Sequence, residues 1–395
     1  YTLVVELAQP ASYFLYLMAY ATAYPVPRHK VQELGAAWAE AENLVSCGPF
    51  RIARDANGSP AWQPDRLLEL ERNPGYYGRF GGNLQRVEMH QFESAEERLA
   101  RYTAGDLDTF SFRGLRAERD QVRQRFAGEY LSVPNLTVTY AGFNLARPPF
   151  NDARIRRAFA LAVDRAAHAN IELKGFAFPA SGGLIPPGMP GHTPGLALPF
   201  DPAEARRLLV ECGFPEGRGL PPIEMLAGEG NESILTFLAA QWQQHLGVSV
   251  AWKMLDYDAF MARMAGAEAP HIFLNAWMPD YPDPDNFLRI CDALRWTHYD
   301  NIETQHLASL LRSGTKNIAE MQAVASLQDL IDNARRLTDQ PARLEMYRQA
   351  DRQLVEGALL LPFNYWRSHL LIKSSVKQFP TSAVKWWYWK DVVIV

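Results

Sequence analysis

Residues 222–277 read PIEMLAGEGNESILTFLAAQWQQHLGVSVAWKMLDYDAFMARMAGAEAPHIFLNAW, an alternation of short apolar runs and amphipathic segments. The runs PIEML, VSVAWKML and HIFLNAW predict three strands. The segment after the first run predicts a helix that begins at Asn231 and ends at Gly247, and DYDAFMARMAG predicts a second, shorter helix. The buried face of the longer helix is predicted to consist of Ile234, Leu238, Trp242 and Leu246. This β-α-β-α-β order favours a mostly parallel sheet with helices packed on it.

Outside this stretch, several segments carry strand or helix patterns with clear ends. Period-two alternation predicts a strand over 1–7, and ALLLPFNYW predicts another over 358–366. Residues 300–360 are expected to be mostly helical. Further predicted helices have recognisable caps, which are Ser94 with Gly105, Asn151 or Asp152 before a face of Ile155, Phe159 and Val163, and Asp201 with Gly213.

The bulk composition describes a globular protein larger than one ordinary domain. The chain has 395 residues, of which 48% are hydrophobic and 21% are charged, and two lobes are the expectation at this length. The formal net charge is −4 with both signs interspersed, which argues against a nucleic-acid surface or a basic membrane patch. Three cysteines without ligand spacing, Cys47, Cys212 and Cys291, are expected to be buried free thiols. Ten Trp and sixteen Tyr are typical of a ligand cleft lined with aromatic side chains, and the alternative is a Trp-rich core with Tyr at its margin.

No catalytic or metal motif is present in the sequence. There is no G-x-S-x-G, no HExxH and no P-loop, and the histidines share no ligand spacing. The GEGNES segment, 228–233, departs from the dinucleotide fingerprint and is interpreted as a helix start. We therefore expect no enzyme activity, no cofactor and no metal.

The acidic stretch NAWMPDYPDPDNFL, 275–288, follows the third predicted strand. A calcium loop is disfavoured because the glycine turn and the distal Glu are missing. A glycosidase pair is disfavoured because two neighbours in one loop rarely flank a scissile bond. The remaining interpretation is the wall of a binding site, because ligands meet open sheets at the carboxyl ends of strands. Asp283 and Asp285 are assigned to turn and cap roles, and Asp280 is the proposed functional carboxylate beside Trp277 and Tyr281.

Seven segments together resemble the extracytoplasmic solute-binding proteins of peptide ABC transporters, family 5, in the order of that family. They are YPVPRHKVQELG, NLVSCGPFRI, LELERNPGYYG, PPFNDARIRRAFALAVDR, DPAEARRLLVECGF, WMPDYPDP and YWKDVVIV. The resemblance implies an α/β, bilobal, type II periplasmic-binding-protein-like fold with mixed sheets flanked by helices. It further implies that the chain is truncated at its N-terminus and lacks the family's small N-terminal domain. Residues 1–165 with 366–395 would form part of lobe I, and 166–365 would form lobe III.

The resemblance also implies a set of ligand-binding positions. Asp280 would receive the α-ammonium group of a peptide, with Trp277 and Tyr281 in matching places and Tyr257 lining a side-chain pocket. The other implied cleft positions lie on two hinge-side strands and are Tyr140, Phe143, Asn144, Asn364 and Tyr365. The sequence departs from the family at Leu274, where an Arg associated with the peptide carboxylate is usual, and at Cys47, where Asn or Thr is usual.

The function implied by the resemblance is capture of a short peptide in an interlobe cleft and delivery to an ABC permease. The expected location is the periplasm or the outer face of a bacterial cytoplasmic membrane, reached through the permease or a lost lipid anchor. The protein is expected to be a monomer with a peptide ligand, permease partners and no nucleic acid. The alternatives are a solute-sensing module of a regulatory protein, a binder of another solute such as an oligosaccharide, and a glycan-active enzyme that uses Asp280.

Overall fold

The computed structural model describes residues 2–115, 118–266, 269–288, 327, 329–384 and 388–395. The chain forms two compact units, and neither is a single continuous segment. The larger unit comprises Tyr1–Tyr20 and Leu136–Arg367, and the smaller comprises Ala21–Asn135 and Ser368–Val395. The domain borders predicted from the sequence are 165/166 and 365/366. The assignment of the predicted segments to lobe I and lobe III stays a prediction.

Helices and strands up to residue 125 belong mainly to the smaller unit. The first helix, α1 (Phe14–Met18), is in the larger unit. The helices of the smaller unit are α2 (Arg28–Leu34), α3 (Ala95–Ala104) and α4 (Arg119–Arg125), with 3₁₀ turns at Ala21–Ala23, Gly35–Ala39 and Trp389–Asp391. Its strands are β1 (Phe50–Ile52), β2 (Trp62–Gln63), β3 (Leu67–Arg72), β4 (Arg86–His90), β5 (Thr109–Ser111) and the pair Val376–Gln378 with Val393–Ile394. Strand β3 pairs antiparallel with β1, β2 and β4.

The larger unit is built on a mixed sheet with helices. Its strands are β6 (Tyr130–Phe143), β7 (Ala177–Pro179), β8 (Ile223–Gly228), β9 (Val250–Leu255), β10 (Ile272–Trp277) and β11 (Leu360–Ile372). Their order is β11-β6-β10-β8-β9, with β7 beside β11 and with β5 paired to the last residues of β11. Both β6 and β11 contain a border between the two units, since they pass through residues 135/136 and 367/368.

The larger unit also contains helices and short helical turns between its strands. They include α5 (Ala153–Leu161), α6 (Arg165–Ala167), a π turn at His168–Glu172, α7 (Pro202–Glu211), a 3₁₀ turn at Pro215–Gly217, α8 (Glu232–Leu246), α9 (Tyr257–Ala265), α10 (Pro284–Leu288) and α11 (Gln340–Glu356), and residues 329–336 are also helical. Among the helices in the described ranges, none combines the length and the apolar character that a membrane span requires.

The β-α-β-α-β prediction for 222–277 is confirmed. Strand β8 pairs parallel with both β9 and β10, and the predicted inward face of α8 is 5% exposed or less. One face of the sheet meets these helices, where Met225 lies opposite Ile272 and Ala227 lies opposite Leu274. Trp242 of α8 packs on this face and is fully buried. Its indole N–H donates to the carbonyl of Phe159 at 2.9 Å, which satisfies the polar group of this buried ring.

The predicted helix caps are mostly confirmed. Ser94, Asp152 and Asp201 each accept a backbone N–H from the first turn of their helix, as such side chains do at N-caps. Asn231 occupies the predicted N-cap position of α8, but its side chain caps no N–H of the helix, because its amide donates to the carbonyl of Gly228 at 2.9 Å. The predicted helix and strand near 340–366 are confirmed as α11 and β11.

Two other sequence predictions were wrong. Residues 2–7 form no strand, and Leu3 and Val5 are exposed. An alternating pattern becomes a strand only where a neighbouring strand supplies hydrogen-bond partners, and within the described ranges no strand pairs with this segment. Cys47 is exposed and Cys212 is half-buried, so neither is a fully buried thiol. Cys291 and the predicted helices within 300–326 lie outside the described residues.

Helix α5 is joined to the end of α11 by a buried arginine. Arg156 is 1% exposed, and its guanidinium donates to the carbonyls of Phe150 at 2.7 Å, Ala358 at 3.1 Å and Gly357 at 3.2 Å. The last carbonyls of a helix lack partners within that helix, and a buried guanidinium supplies donors in a fixed fork. Arg156 thereby satisfies the carboxyl end of α11.

Candidate ligand-binding site

The carboxyl ends of β8, β9 and β10 lie together at one edge of the sheet, because these three strands run parallel. The chain leaves this edge through three loops, which begin at Glu229, Asp256 and Met278. Two predicted site residues, Trp277 and Asp280, therefore lie at the edge where ligands meet open α/β sheets. Tyr257 begins helix α9 at the same edge.

Asp280 is the exposed carboxylate of its loop. Its Oδ1 accepts the hydroxyl of Tyr20 at 2.8 Å. Within the part of the chain that the structure describes, no basic side chain forms an ion pair with Asp280. A carboxylate can accept several hydrogen bonds, so the Tyr20 hydroxyl uses only part of its capacity. Sequence reasoning missed Tyr20, because no local pattern connects positions 260 residues apart.

The two other carboxylates of the loop are buried and neutralised by arginines. Asp283 accepts the Arg343 guanidinium through both oxygens, at 2.9 Å for Oδ2. Asp285 accepts Arg335 at 2.7 Å and the Tyr347 hydroxyl at 3.1 Å. The predicted turn role of Asp283 is confirmed, since its Oδ1 accepts the Asp285 N–H at 2.9 Å.

Burial and charge both perturb the groups of this network. Burial lowers the pKa of Arg343, but the hydrogen bond and charge of Asp283 outweigh it and the pKa is raised. Burial, with the nearby charge of Asp285, raises the pKa of Tyr347 above its ordinary range. Near neutral pH the Arg343 guanidinium therefore stays charged and the Tyr347 hydroxyl stays protonated, so both can donate hydrogen bonds that hold the loop.

Trp277 and Tyr281 flank Asp280 but differ in exposure. Trp277 is half-buried, and its indole N–H donates to Asn286 Oδ1 at 2.8 Å. Tyr281 is 4% exposed, its ring stacks on Tyr13 with centroids 5.4 Å apart, and its hydroxyl donates to Asp285 at 2.9 Å. Tyr281 thus lies in the packing that supports the loop.

Tyr257 and Tyr140 line different parts of the sheet. Tyr257 is 72% exposed and follows the Asp256 cap of α9. Tyr140 lies opposite Asn275 in the β6–β10 pairing, on the same face as Trp277, but it is 1% exposed and packs edge-on against Phe273. Of these two rings, only Tyr257 presents a large surface to solvent.

Phe143 and Asn144 lie at the other end of the strand pair. Phe143 lies opposite Ile272, whereas Val138 lies opposite Trp277, so five residues or roughly 17 Å separate the two positions along the strand. Phe143 is buried in the core and stacks on Phe150 at 5.1 Å. The side-chain amide of Asn144 donates to the carbonyl of Pro270 at 3.1 Å. The structure does not bring either residue to the Asp280 edge.

Asn364 and Tyr365 are buried on β11 beside β7. The Asn364 amide lies 3.0 Å from His168 Nδ1, and burial lowers the pKa of that histidine to about 4 despite the opposing effect of the Asn364 hydrogen bond. The Tyr365 hydroxyl donates to the carbonyl of Gly183 at 2.7 Å. Both side chains are thus engaged within the larger unit.

Leu274, the position at which the family resemblance implied an arginine, is buried in the core. It is 1% exposed and lies opposite Ala141 and Ala227 on the helix-covered face of the sheet. Trp277 lies on the other face, because side chains alternate along a strand. Within the described residues, no group of three or more His, Cys, Asp or Glu side chains is arranged to hold a metal ion.

The mixed sheet with flanking helices is similar in fold to solved periplasmic binding proteins. The dipeptide-binding protein from Pseudoalteromonas sp., solved with Met-Leu, superposes on 99% of this chain and 73% of its own with a TM-score of 0.73 at 20% identity, which shows the fold. The sequence model of bacterial extracellular solute-binding proteins, family 5 Middle, matches residues 1–295, and the chain belongs to this family.

Two curated relatives are similar along nearly the whole chain. The probable deoxycholate-binding periplasmic protein YgiS of Escherichia coli is 28% identical over 96% of this chain and 66% of its own length. The periplasmic oligopeptide-binding protein OppA of Salmonella typhimurium is 25% identical over 94% of this chain and 65% of its own length. The chain thus spans slightly less than two thirds of the length of these relatives.

Proposed function

We propose that this chain binds a short peptide with a free N-terminus and that Asp280 holds the α-ammonium group. The observation that carries the proposal is the contrast within one loop, where Asp283 and Asp285 are buried against arginines while Asp280 is exposed at the sheet edge. The ammonium group of a peptide would give Asp280 a cationic partner, as Arg343 does for Asp283 and Arg335 does for Asp285. A hydrogen bond to a charged group in such a site contributes roughly 1.5–3 kcal/mol.

The aromatic groups at the same edge suit the first residues of a peptide. Trp277 presents a half-buried indole next to Asp280, and Tyr257 presents an exposed ring two strands away, with β8 between them. Such rings offer apolar area that accepts many side chains. Backbone groups of an extended peptide would add hydrogen bonds that do not depend on sequence.

The proposed role of the protein is non-catalytic solute capture for uptake by an ABC permease. Membership of family 5 supports a solute-binding role, and the names of OppA and related proteins support peptides and a periplasmic location. We propose that the protein acts as a monomer at the outer face of a bacterial cytoplasmic membrane, with the permease as its partner. Tyr257, Tyr140, Asn364 and Tyr365 stay predicted ligand positions, as do Phe143 and Asn144.

Isothermal titration calorimetry with free and N-acetylated forms of the same tripeptides tests the ammonium contact. Asp280→Ala should weaken binding of the free peptides roughly 10- to 150-fold, which corresponds to the loss of one charged hydrogen bond. Acetylation should weaken binding to the native chain by a similar factor, because the acetylated nitrogen carries no charge. Asp258→Ala removes another exposed carboxylate from the first turn of α9 and serves as the control for net charge.

Two outcomes would contradict the proposal. The first is equal affinity of the native chain for free and N-acetylated peptides. The second is tight binding of deoxycholate without any peptide binding, since deoxycholate is the ligand named for the relative YgiS. Deoxycholate is an anion, and Asp280 would repel its carboxylate.

A further inference from the structure

Asn286 connects the two residues that form the proposed ammonium site. It lies in α10 (Pro284–Leu288) and is 4% exposed. Its Oδ1 accepts the indole N–H of Trp277 at 2.8 Å and the backbone N–H of Asp280 at 3.2 Å. One buried amide oxygen therefore determines the orientation of the Trp277 ring and the path of the main chain at Asp280.

The short helix that carries Asn286 is itself held by ion pairs on both sides of its start. Asp283 precedes α10 and pairs with Arg343, whose side chain is 1% exposed. Asp285 lies within α10 and pairs with Arg335, whose side chain is 14% exposed. Since Arg343 belongs to α11, the position of Asn286 is fixed relative to a long helix of the larger unit.

We propose that Asn286 is a positioning residue of the ligand site, which sets the geometry of Trp277 and Asp280 before a peptide arrives. The inference rests on the proposed function for its effect on affinity. A neutral acceptor is suited to this place, because it satisfies two N–H groups without adding negative charge beside Asp280. Side chains held in advance lose less conformational freedom on binding, so the affinity is higher.

The indole N–H signal of Trp277 tests the positioning role without any ligand. In a ¹⁵N spectrum of the ten indoles, the Trp277 signal is assigned by its absence in Trp277→Phe. Asn286→Ala should move this signal toward the position of solvent-exposed indoles and speed its exchange with water at least tenfold. Asn286→Asp keeps an acceptor oxygen for both N–H groups and should leave the signal near its native position.

A double-mutant cycle tests the effect of Asn286 on binding. For the tripeptide that binds most tightly in a thermal-shift screen, Asn286→Ala should weaken binding about tenfold in the native background. In the Asp280→Ala background the same substitution should weaken binding by a clearly smaller factor, because only the Trp277 ring is then left for Asn286 to position. Asn73→Ala, another buried asparagine whose amide donates to two carbonyls in the smaller unit, is the control for a loss of stability alone.

Three results would overturn the inference. They are an unchanged Trp277 signal in Asn286→Ala, the same factor of weakening in both backgrounds, and an equal effect of Asn73→Ala on affinity. If no tripeptide binds, or if Asp280→Ala leaves the affinity unchanged, the proposed function fails. The indole signal in that case still decides whether Asn286 holds Trp277.

Discussion

The buried carboxylate of Asp351 should make the protein less stable as the pH rises through the acidic range. Asp351 lies on α11, is fully buried, and accepts the backbone N–H groups of Leu184 at 2.7 Å and Ile185 at 3.4 Å. Burial raises its pKa from the ordinary 3.8 to about 7, although the two backbone hydrogen bonds oppose the change. Gly183 packs so closely that a Cβ there would lie 2.2 Å from Asp351 Oδ1.

The size of the effect follows from the difference between the folded and unfolded pKa values of Asp351. Between about pH 4 and pH 7 the folded protein keeps this proton while the unfolded chain loses it, so the free energy of unfolding falls as the pH rises. A displacement of about three pH units corresponds to roughly 4 kcal/mol. Asp351→Asn is neutral at every pH and keeps an oxygen for the Leu184 N–H. Its stability relative to the native protein should therefore rise by roughly 4 kcal/mol between pH 4 and pH 8.

Urea unfolding followed by tryptophan fluorescence, in steps from about pH 4 to about pH 8, measures this difference. His168 is present in both proteins, so the difference between the two pH profiles is assigned to position 351. Glu345→Gln, at an exposed carboxylate on the same helix that pairs with Arg348 at 3.2 Å, is the control and should show the pH dependence of the native protein. Parallel pH profiles for the native protein and Asp351→Asn would refute the reasoning.

Two further predictions concern packing in the larger unit. Arg156→Met should lower the free energy of unfolding by roughly 3 kcal/mol or more, because it leaves two buried carbonyls and one half-buried carbonyl without their donor, while Arg157→Met on the same helix should cost less than about 1 kcal/mol. Chemical denaturation checks both, and equal losses would contradict the role of Arg156. Gly142→Ala should cost roughly 1–3 kcal/mol, because a Cβ there would lie 2.1 Å from the Phe273 ring. Gly128→Ala, with open space around the new methyl group, is the control, and a thermal melt that does not distinguish the two variants would contradict the prediction.

Local signals in the sequence predicted most of the larger unit. The caps at Asp152 and Asp201 and the four-residue spacing of Ile234, Leu238 and Trp242 are decided by groups within one or two helical turns. The N-terminal strand failed because strand formation needs a partner, which a period-two pattern cannot supply by itself. The N-cap position of Asn231 was predicted correctly, but the sequence did not show that its amide donates to the Gly228 carbonyl in the preceding turn.

The candidate site was only half predictable from the sequence. The position of Asp280 could be predicted, because the strand before it has a local sequence pattern and ligands generally meet open α/β sheets at the carboxyl ends of strands. The burial of Asp283 and Asp285 was not visible, because their arginine partners lie 60 and 50 residues away in the sequence. The same limit applies to Tyr13 and Tyr20, which contact the loop from the beginning of the chain. A local acidic pattern in the sequence therefore cannot distinguish a carboxylate that is paired with a distant arginine from one that is exposed to a ligand.

The interleaved path of the chain has a consequence for biosynthesis. In the smaller unit, β5 pairs with Leu370–Ile372, and Asn83 exchanges hydrogen bonds with Ile394 across 311 positions of sequence. The ribosome therefore has to translate the whole insertion 136–367 before residues 21–135 can form their contacts with residues 368–395. Because contacts between such distant segments form slowly, we expect the early segment to wait in an incomplete state during translation, exposed to chaperones and proteases.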